Sequence, residues 1–233
     1  MTDKFTILVG GEKGGTGKST IATNLAIMFR LADFDTHLVD CDKQQTSLRF
    51  ANRRAAREVK PNIVCTHLAG DRLQIPITDL SEKYDVVIVD SGGQDSVELR
   101  SAMITPSVEL LIVPIQPGYF DIETLVNMDN LVATSKIYNP NLVAKCLINR
   151  APTHSQVTVA DEASEFISEE LENLDLFKTI FHDRVSYSYA VAHGESVIEY
   201  EKRSRRDNKA TREVGSLFKE LTGFDFPLSA ISS

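Results

Sequence analysis

The residues with the most chemistry in them lie near the start of the chain, in Gly10-Gly11-Glu12-Lys13-Gly14-Gly15-Thr16-Gly17-Lys18-Ser19-Thr20. An apolar run, Phe5–Val9, leads into this stretch, and a helix-period pattern, Ser19–Ala32, follows it. Strand, glycine-rich loop and helix in that order make a cradle for phosphate. Glycines let successive backbone N–H groups turn inward, and the dipole at the helix N-terminus adds to the attraction. In such a cradle Lys18 reaches the β- and γ-phosphates of a nucleotide, and the Ser19 hydroxyl takes a Mg²⁺ position. The usual loop, GxxxxGK[ST], has glycine where this chain has Glu12; KGGTGKST is a variant that carries an additional lysine, Lys13.

Carboxylates follow at two apolar runs, Val39-Asp40-Cys41-Asp42 and Val86-Val87-Ile88-Val89-Asp90. In an open α/β sheet, ligands bind outside the carboxyl ends of the strands, so these acids face the phosphate loop. Asp90 reads as the Walker B acid, holding Mg²⁺ directly or through a coordinated water. Asp40 and Asp42 lie two residues apart and point to the same side of their chain. One can orient a metal-bound water while the other positions the attacking water.

The elements that must position these groups alternate. Candidate strands are Phe5–Val9, Thr36–Val39, Ile63–His67, Asp85–Val89, Leu110–Pro114 and Val143–Ile148, most of them Val/Ile/Leu-rich without polar alternation. That is the pattern of parallel strands covered on both faces. Helical patterns such as Ser19–Ala32, Gln45–Arg57 and Ile122–Lys136 separate them, which predicts βαβ units and a doubly wound, mostly parallel α/β sheet. No repeat or Pro/Gly/Ser linker divides residues 1–233, so one P-loop ATPase domain is expected. Val159–Asn173 reads as an acidic amphipathic helix, and about Ser196 to Leu221 as a last long helix.

The chain has 233 residues and net charge −8, with 25 Lys+Arg against 33 Asp+Glu. Such a protein does not coat a polyanion unless its cations gather on one face. They do gather: Lys202–Arg212 holds six basic residues and one acidic, Arg49–Lys60 five and one, whereas Asp161–Asp175 holds seven acidic residues. Wound as one helix, Lys202, Arg205, Arg206, Lys209 and Arg212 share a sector about 120° wide. Three scattered cysteines, Cys41, Cys65 and Cys146, argue against a disulfide scaffold, a zinc site and an iron–sulfur cluster. No stretch approaches the ~20 apolar residues of a membrane span, and the tail from Thr222 has a proline and no Lys or Arg. A cytoplasmic protein without membrane attachment is expected.

KGGTGKST, DCDKQQ, YDVVIVDSGG, LLIVPIQPGYFDIETL, LINRAP and HGESVIEYEK together resemble the ParA/MinD superfamily of deviant Walker A ATPases over nearly the whole chain. The resemblance implies a P-loop fold, ATP and Mg²⁺ as cofactors, and a homodimer closed around two ATP molecules. It implies that Gly14, Gly15, Thr16, Gly17, Lys18, Ser19 and Thr20 bind ATP, and that Lys13 crosses to the partner's phosphates. It implies that Asp42 helps activate water, that Asp40 and Asp90 act around Mg²⁺, and that Asn149 contacts adenine. Two departures stand out: Ser91-Gly92-Gly93-Gln94-Asp95 replaces a Cys-Pro-Pro type sequence, and Lys43-Gln44 replaces Pro-Gln.

The expected function is an ATP-dependent switch that partitions or positions DNA such as a plasmid. Its ATP-bound dimer would hold non-specific double-stranded DNA of the nucleoid through Lys202, Arg205, Arg206, Lys209 and Arg212. A centromere-binding, ParB-like protein would stimulate turnover. The competing expectations are a MinD-like ATPase positioning a cargo or a membrane-bound partner, and a metabolic P-loop enzyme.

Overall fold

A computed structural model describes residues 4–93, 96–117, 122–153 and 158–227. Its strands are β1 (Phe5–Val9), β2 (Thr36–Asp40), β3 (Val64–His67), β4 (Val86–Asp90), β5 (Leu110–Ile115), β6 (Val143–Ala151) and β7 (Asp175–His182). The helices are α1 (Lys18–Leu31), α2 (Thr46–Ala56), α3 (Gln74–Lys83), α4 (Val97–Met103) and α5 (Ile122–Ser135). Then come α6 (Thr158–Glu170), α7 (Val185–His193), α8 (Val197–Ser204) and α9 (Lys209–Thr222). All pairings are parallel, and the sheet order is β3-β2-β4-β1-β5-β6-β7.

Each central strand feeds two cores because successive side chains leave opposite faces. On β1, Ile7 and Val9 enter one core with Leu25, Phe29, Leu38 and Phe218. Leu8 enters the other with Val39, Val87, Val89, Leu111 and Ile167. Burying each such side chain contributes roughly 1.5–3 kcal/mol, so the middle of the sheet is the rigid part of the molecule. The winding reverses at β1, whose neighbours are β4 and β5, and the loop after β1 opens into the crevice at that reversal.

Two expectations need correction. β7 was not among the candidate strands. It is an edge strand with alternate residues buried, and its charged outward positions (Asp175, Lys178) hide it from a search for continuous apolar runs. The last helix is also not continuous. It stops at Ser204 and restarts at Lys209, with Arg205 at φ 52° and Asn208 at φ 56°. Glu201, 1% exposed, forces the break by drawing in the start of α9. Its Oε1 accepts from Ala210 N (3.3 Å) and its Oε2 from Thr211 N and Oγ1 (2.9 Å each). A continuous helix would have bonded those amides to the turn before. The single 120° sector therefore does not exist. Lys202 (α8), Arg205 and Arg206 (the link), and Lys209 and Arg212 (α9) are instead spread, all exposed, over the corner where α8 gives way to α9. There Arg206 lies over the Tyr200 ring, 5.7 Å from its centroid, and Lys209 pairs with Asp207 at 3.1 Å.

Candidate nucleotide site

The phosphate loop leaves β1 and enters α1 through Gly17, whose φ of 92° is left-handed backbone that favours glycine. A Cβ there would also strike the Asn149 amide. No side chain caps α1. Its first amide N–H groups are thereby left for an anion, which is what a phosphate site requires. The carbonyls of the loop are meanwhile gripped from outside. Asn149 Nδ2, at the end of β6, donates to the Thr16 carbonyl (2.6 Å), and Gln116 Nε2, just after β5, donates to that of Gly15 (3.1 Å). With those carbonyls held outward, the intervening N–H groups face the cleft.

Lys18 is 6% exposed, and its ammonium donates to the Lys13 carbonyl at 2.6 Å across the loop. Burial lowers its pKa, while Asp90 and Asp42 act the other way, which places both acids close to the ammonium. Gly14, Gly15, Gly17, Ser19, Thr20, Asp42 and Gly93 line the same cleft of about 380 Å³. Lys13 borders a different pocket, beside Val113, Pro114 and Met128. Its exposed side chain stands outside its own phosphate cleft.

The strand ends bring the acids together as expected: Asp40 and Asp90 are register partners on β2 and β4, and Val9 is the partner of Asp90 on β1. Their environments differ. Asp90 is fully buried; burial pushes its pKa up to about 7, against the hydroxyls of Ser47 and Ser19, which favour the charged form. Ser47 Oγ donates to Asp90 Oδ2 at 2.6 Å, while Oδ1 has no hydrogen-bond partner. A buried carboxylate oxygen without a donor, beside the Ser19 hydroxyl, fits a hard divalent cation or one of its waters. Asp40 commits both oxygens to the backbone that follows it, accepting from Asp42 N (2.9 Å) and Leu48 N (2.8 Å). It thereby holds the loop that carries Asp42. Asp42 Oδ1 accepts from Gln44 N at 2.9 Å.

A second cleft, lined by Asn149, Arg150, Asp183, Arg184 and Tyr187, shares Gly17, Thr20 and Arg150 with the phosphate cleft. One groove thus runs from Gly93 past the loop to Tyr187. Its far wall is fixed by Glu213, which accepts from His182 Nδ1 (2.8 Å), Arg184 Nε (2.7 Å) and Tyr187 Oη (3.0 Å).

Residues 5–164 match the family model described as ATPase MipZ. The chain belongs to the MipZ family of ATPases. A protein for maintenance of carboxysome distribution, from Halothiobacillus neapolitanus, is 24% identical over 93% of this chain and 96% of its own length. Among solved structures, an ATP complex of Cyanothece McdA superposes with TM-score 0.72 at 13% identity, over 97% of this chain and 98% of that one. MinD of Pyrococcus horikoshii with Mg-ADP gives 0.68 at 16% identity, over 94% and 96%. The chain is therefore an ATPase of the MipZ family, and it shares the fold of those two nucleotide-bound proteins. Ser19 and Asp90 are the residues whose geometry would suit a divalent cation, which would supply positive charge to the phosphates when bound.

Sequence reasoning missed Ser47, Gln116 and the burial of Arg54. Ser47 and Gln116 act through partners distant in the chain, so no local spacing announces them. Arg54 lies inside the basic run on α2, yet it is completely buried. It donates through Nε to the Pro61 carbonyl (2.7 Å) and bonds both oxygens of Glu199 on α8 (2.6 and 2.8 Å). Part of that basic cluster is thus an internal fastening. Gln94 and Asp95 of the Ser91–Asp95 departure, and residues 228–233 of the tail, lie outside the described residues.

Proposed function

We propose that this ATPase positions a cargo over DNA, holding non-specific double-stranded DNA in its ATP state and releasing it after hydrolysis. The observation that carries this reading is the cationic corner on an otherwise acidic protein. Lys202, Arg205, Arg206, Lys209 and Arg212 lie exposed on three consecutive segments, within eleven residues of a chain of net charge −8. Such a corner suits phosphates, which need charge and no base-edge geometry. Among the described residues, no helix is long and apolar enough to cross a membrane.

In the proposed cycle the nucleotide lies along the groove, phosphates over Gly14–Thr20 and base beside Asn149, whose Oδ1 remains an acceptor while Nδ2 holds Thr16. Asp42 positions the attacking water, and Lys18 neutralises charge on the leaving phosphates. Two subunits close with each Lys13 entering the other's site, in keeping with its place outside its own phosphate cleft. A centromere-binding type of partner would speed turnover. The full-length similarity to a carboxysome distribution protein supports a protein cargo as a second reading beside plasmid DNA.

The test is DNA binding with Mg-ATP, Mg-ADP and no nucleotide across a salt series. Binding confined to Mg-ATP, falling steeply with salt and abolished by Arg205→Ala with Arg206→Ala, is the expected outcome. Absence of binding in every state refutes the DNA reading. For the closure step, Lys13→Ala should bind nucleotide yet stay monomeric on sizing columns.

A further inference from the structure

Strand β6 breaks its own alternation where it meets the groove. Ile148 pairs with Ile180 of β7 and Ala151 pairs with His182, so Asn149 and Arg150 together stand opposite Phe181 alone. Two residues against one is a β-bulge, which bends a strand and re-aims its side chains, often beside a ligand site. The backbone carries the mark: Arg150 has φ 57°, a left-handed conformation unfavourable to any residue with a Cβ. In an unbroken strand Asn149 and Arg150 would face opposite sides of the sheet. Here Asn149 reaches the Thr16 carbonyl, and its neighbour Arg150 borders the phosphate cleft and the second cleft alike. Arg150 is exposed, and its guanidinium has no hydrogen bond or ion pair with the described residues.

Its place along the groove is defined by its neighbours. Lys18, Asp42 and Gly93 border only the phosphate cleft; Asp183 and Tyr187 border only the second. Arg150 stands at the joint and borders both clefts. We propose that Arg150 is a nucleotide-binding residue, whose guanidinium contacts the inner end of the phosphate chain, at the α-phosphate, within the same subunit. This rests on the nucleotide reading of the groove. The bulge is the device that aims it, converting a residue that alternation would send to the far face into a second cation for the phosphates. Because ATP and ADP share the α-phosphate, the contact sets the affinity for both.

Arg150→Asn removes the charge while keeping a residue that tolerates the left-handed backbone, and Arg150→Gly fits the same backbone without strain. Both should bind Mg-ADP and Mg-ATP about tenfold more weakly than the parent, by similar factors. The deficit should shrink as salt rises from about 0.05 M to about 0.5 M, because the lost attraction is one that salt screens. Unchanged Mg-ADP affinity in both variants, beside tight binding by the parent, overturns the assignment. So does a deficit confined to Mg-ATP, which moves the contact to the γ-phosphate, or one equally large at both salts, which makes the arginine structural. Failure of the parent itself to bind either nucleotide overturns the nucleotide reading of the groove.

Discussion

A Cβ built on Gly93 lies 2.9 Å from Gly14 Cα, 3.2 Å from Gly14 N and 3.3 Å from Lys18 Nζ. Carbon–carbon contacts are comfortable at about 3.5–4.0 Å, so Gly93→Ala has to open the gap by roughly 0.6–1 Å. The lysine end can swing away; the Gly14 backbone can move only by deforming the phosphate cradle. A misplacement of about 1 Å at a reacting centre costs about 10²-fold in rate, and that is the loss expected in steady-state phosphate release at saturating Mg-ATP. Stability should change by no more than about 0.5 kcal/mol, since the residue sits in a loop outside both cores. Gly92→Ala is the internal control. Its added Cβ meets Asp42 Cγ at 3.4 Å, an ordinary contact, and hydrolysis should stay within about threefold of the parent. If Gly93→Ala hydrolyses ATP within twofold of the parental rate while remaining folded, the loop after β4 does not press on the cradle during turnover and the reasoning fails.

Lys18→Ala should abolish hydrolysis and weaken nucleotide binding; a parental rate in phosphate release rejects the cradle. Asp90, whose pKa burial raises to about 7, favours the folded state while protonated. That contribution is complete below the unfolded value near 4 and is lost as pH rises through 7, an amplitude on the order of 4 kcal/mol. Urea melts of the metal-free protein between pH 5 and 8 should show stability falling with pH, and Asp90→Asn should flatten the curve while ending Mg²⁺-dependent turnover. Arg54→Ala leaves Glu199 without its bidentate partner and should cost about 3–5 kcal/mol in denaturant melts, with Arg54→Lys failing to restore the fork. Glu201→Ala strips the start of α9 of its acceptors and should lower Tm by roughly 5–10 °C, at about 1 kcal/mol per freed buried donor.

What the sequence disclosed, and what it withheld, follows the range of the interactions. Asp40, Asp42 and Asp90 were legible because a buried parallel strand delivers its last residue to the same edge as its neighbour's, whatever else the fold does. The loop Gly14–Thr20 was legible because glycine, lysine and hydroxyl spacing is itself the chemistry. β7 hid behind its charged outward residues, since an edge strand needs only one buried face. The break at 205–208 was invisible because its cause, the buried Glu201, looks like one more charged residue on an amphipathic helix. Arg150 was hidden by the opposite assumption: strict alternation sends it away from Asn149, and only the register with β7 reveals the bulge. The bonds from Asp42 N and Leu48 N to Asp40 were hidden as well, since backbone amides in the following loop carry no side-chain signal.

Helix α2 begins four residues after Asp42 and ends beside α8, and both of its ends are fixed hard. At the first, Ser47 is bonded to Asp90 and Leu48 N to Asp40. At the second, Arg54 grips Glu199, and Gly194 packs so tightly that a Cβ would come within 2.8 Å of the Arg54 backbone. Eleven residues at 1.5 Å each make this a strut about 16 Å long. A strut pinned at both ends has no slack to take up: a shift of about 1 Å at the acidic end tilts the rod by about 4° or is handed on whole to α8. The corner that carries Lys202, Arg205 and Arg206 is therefore tethered, through α8 and the Arg54 fork, to the same rod that Asp40 and Asp90 hold at its other end.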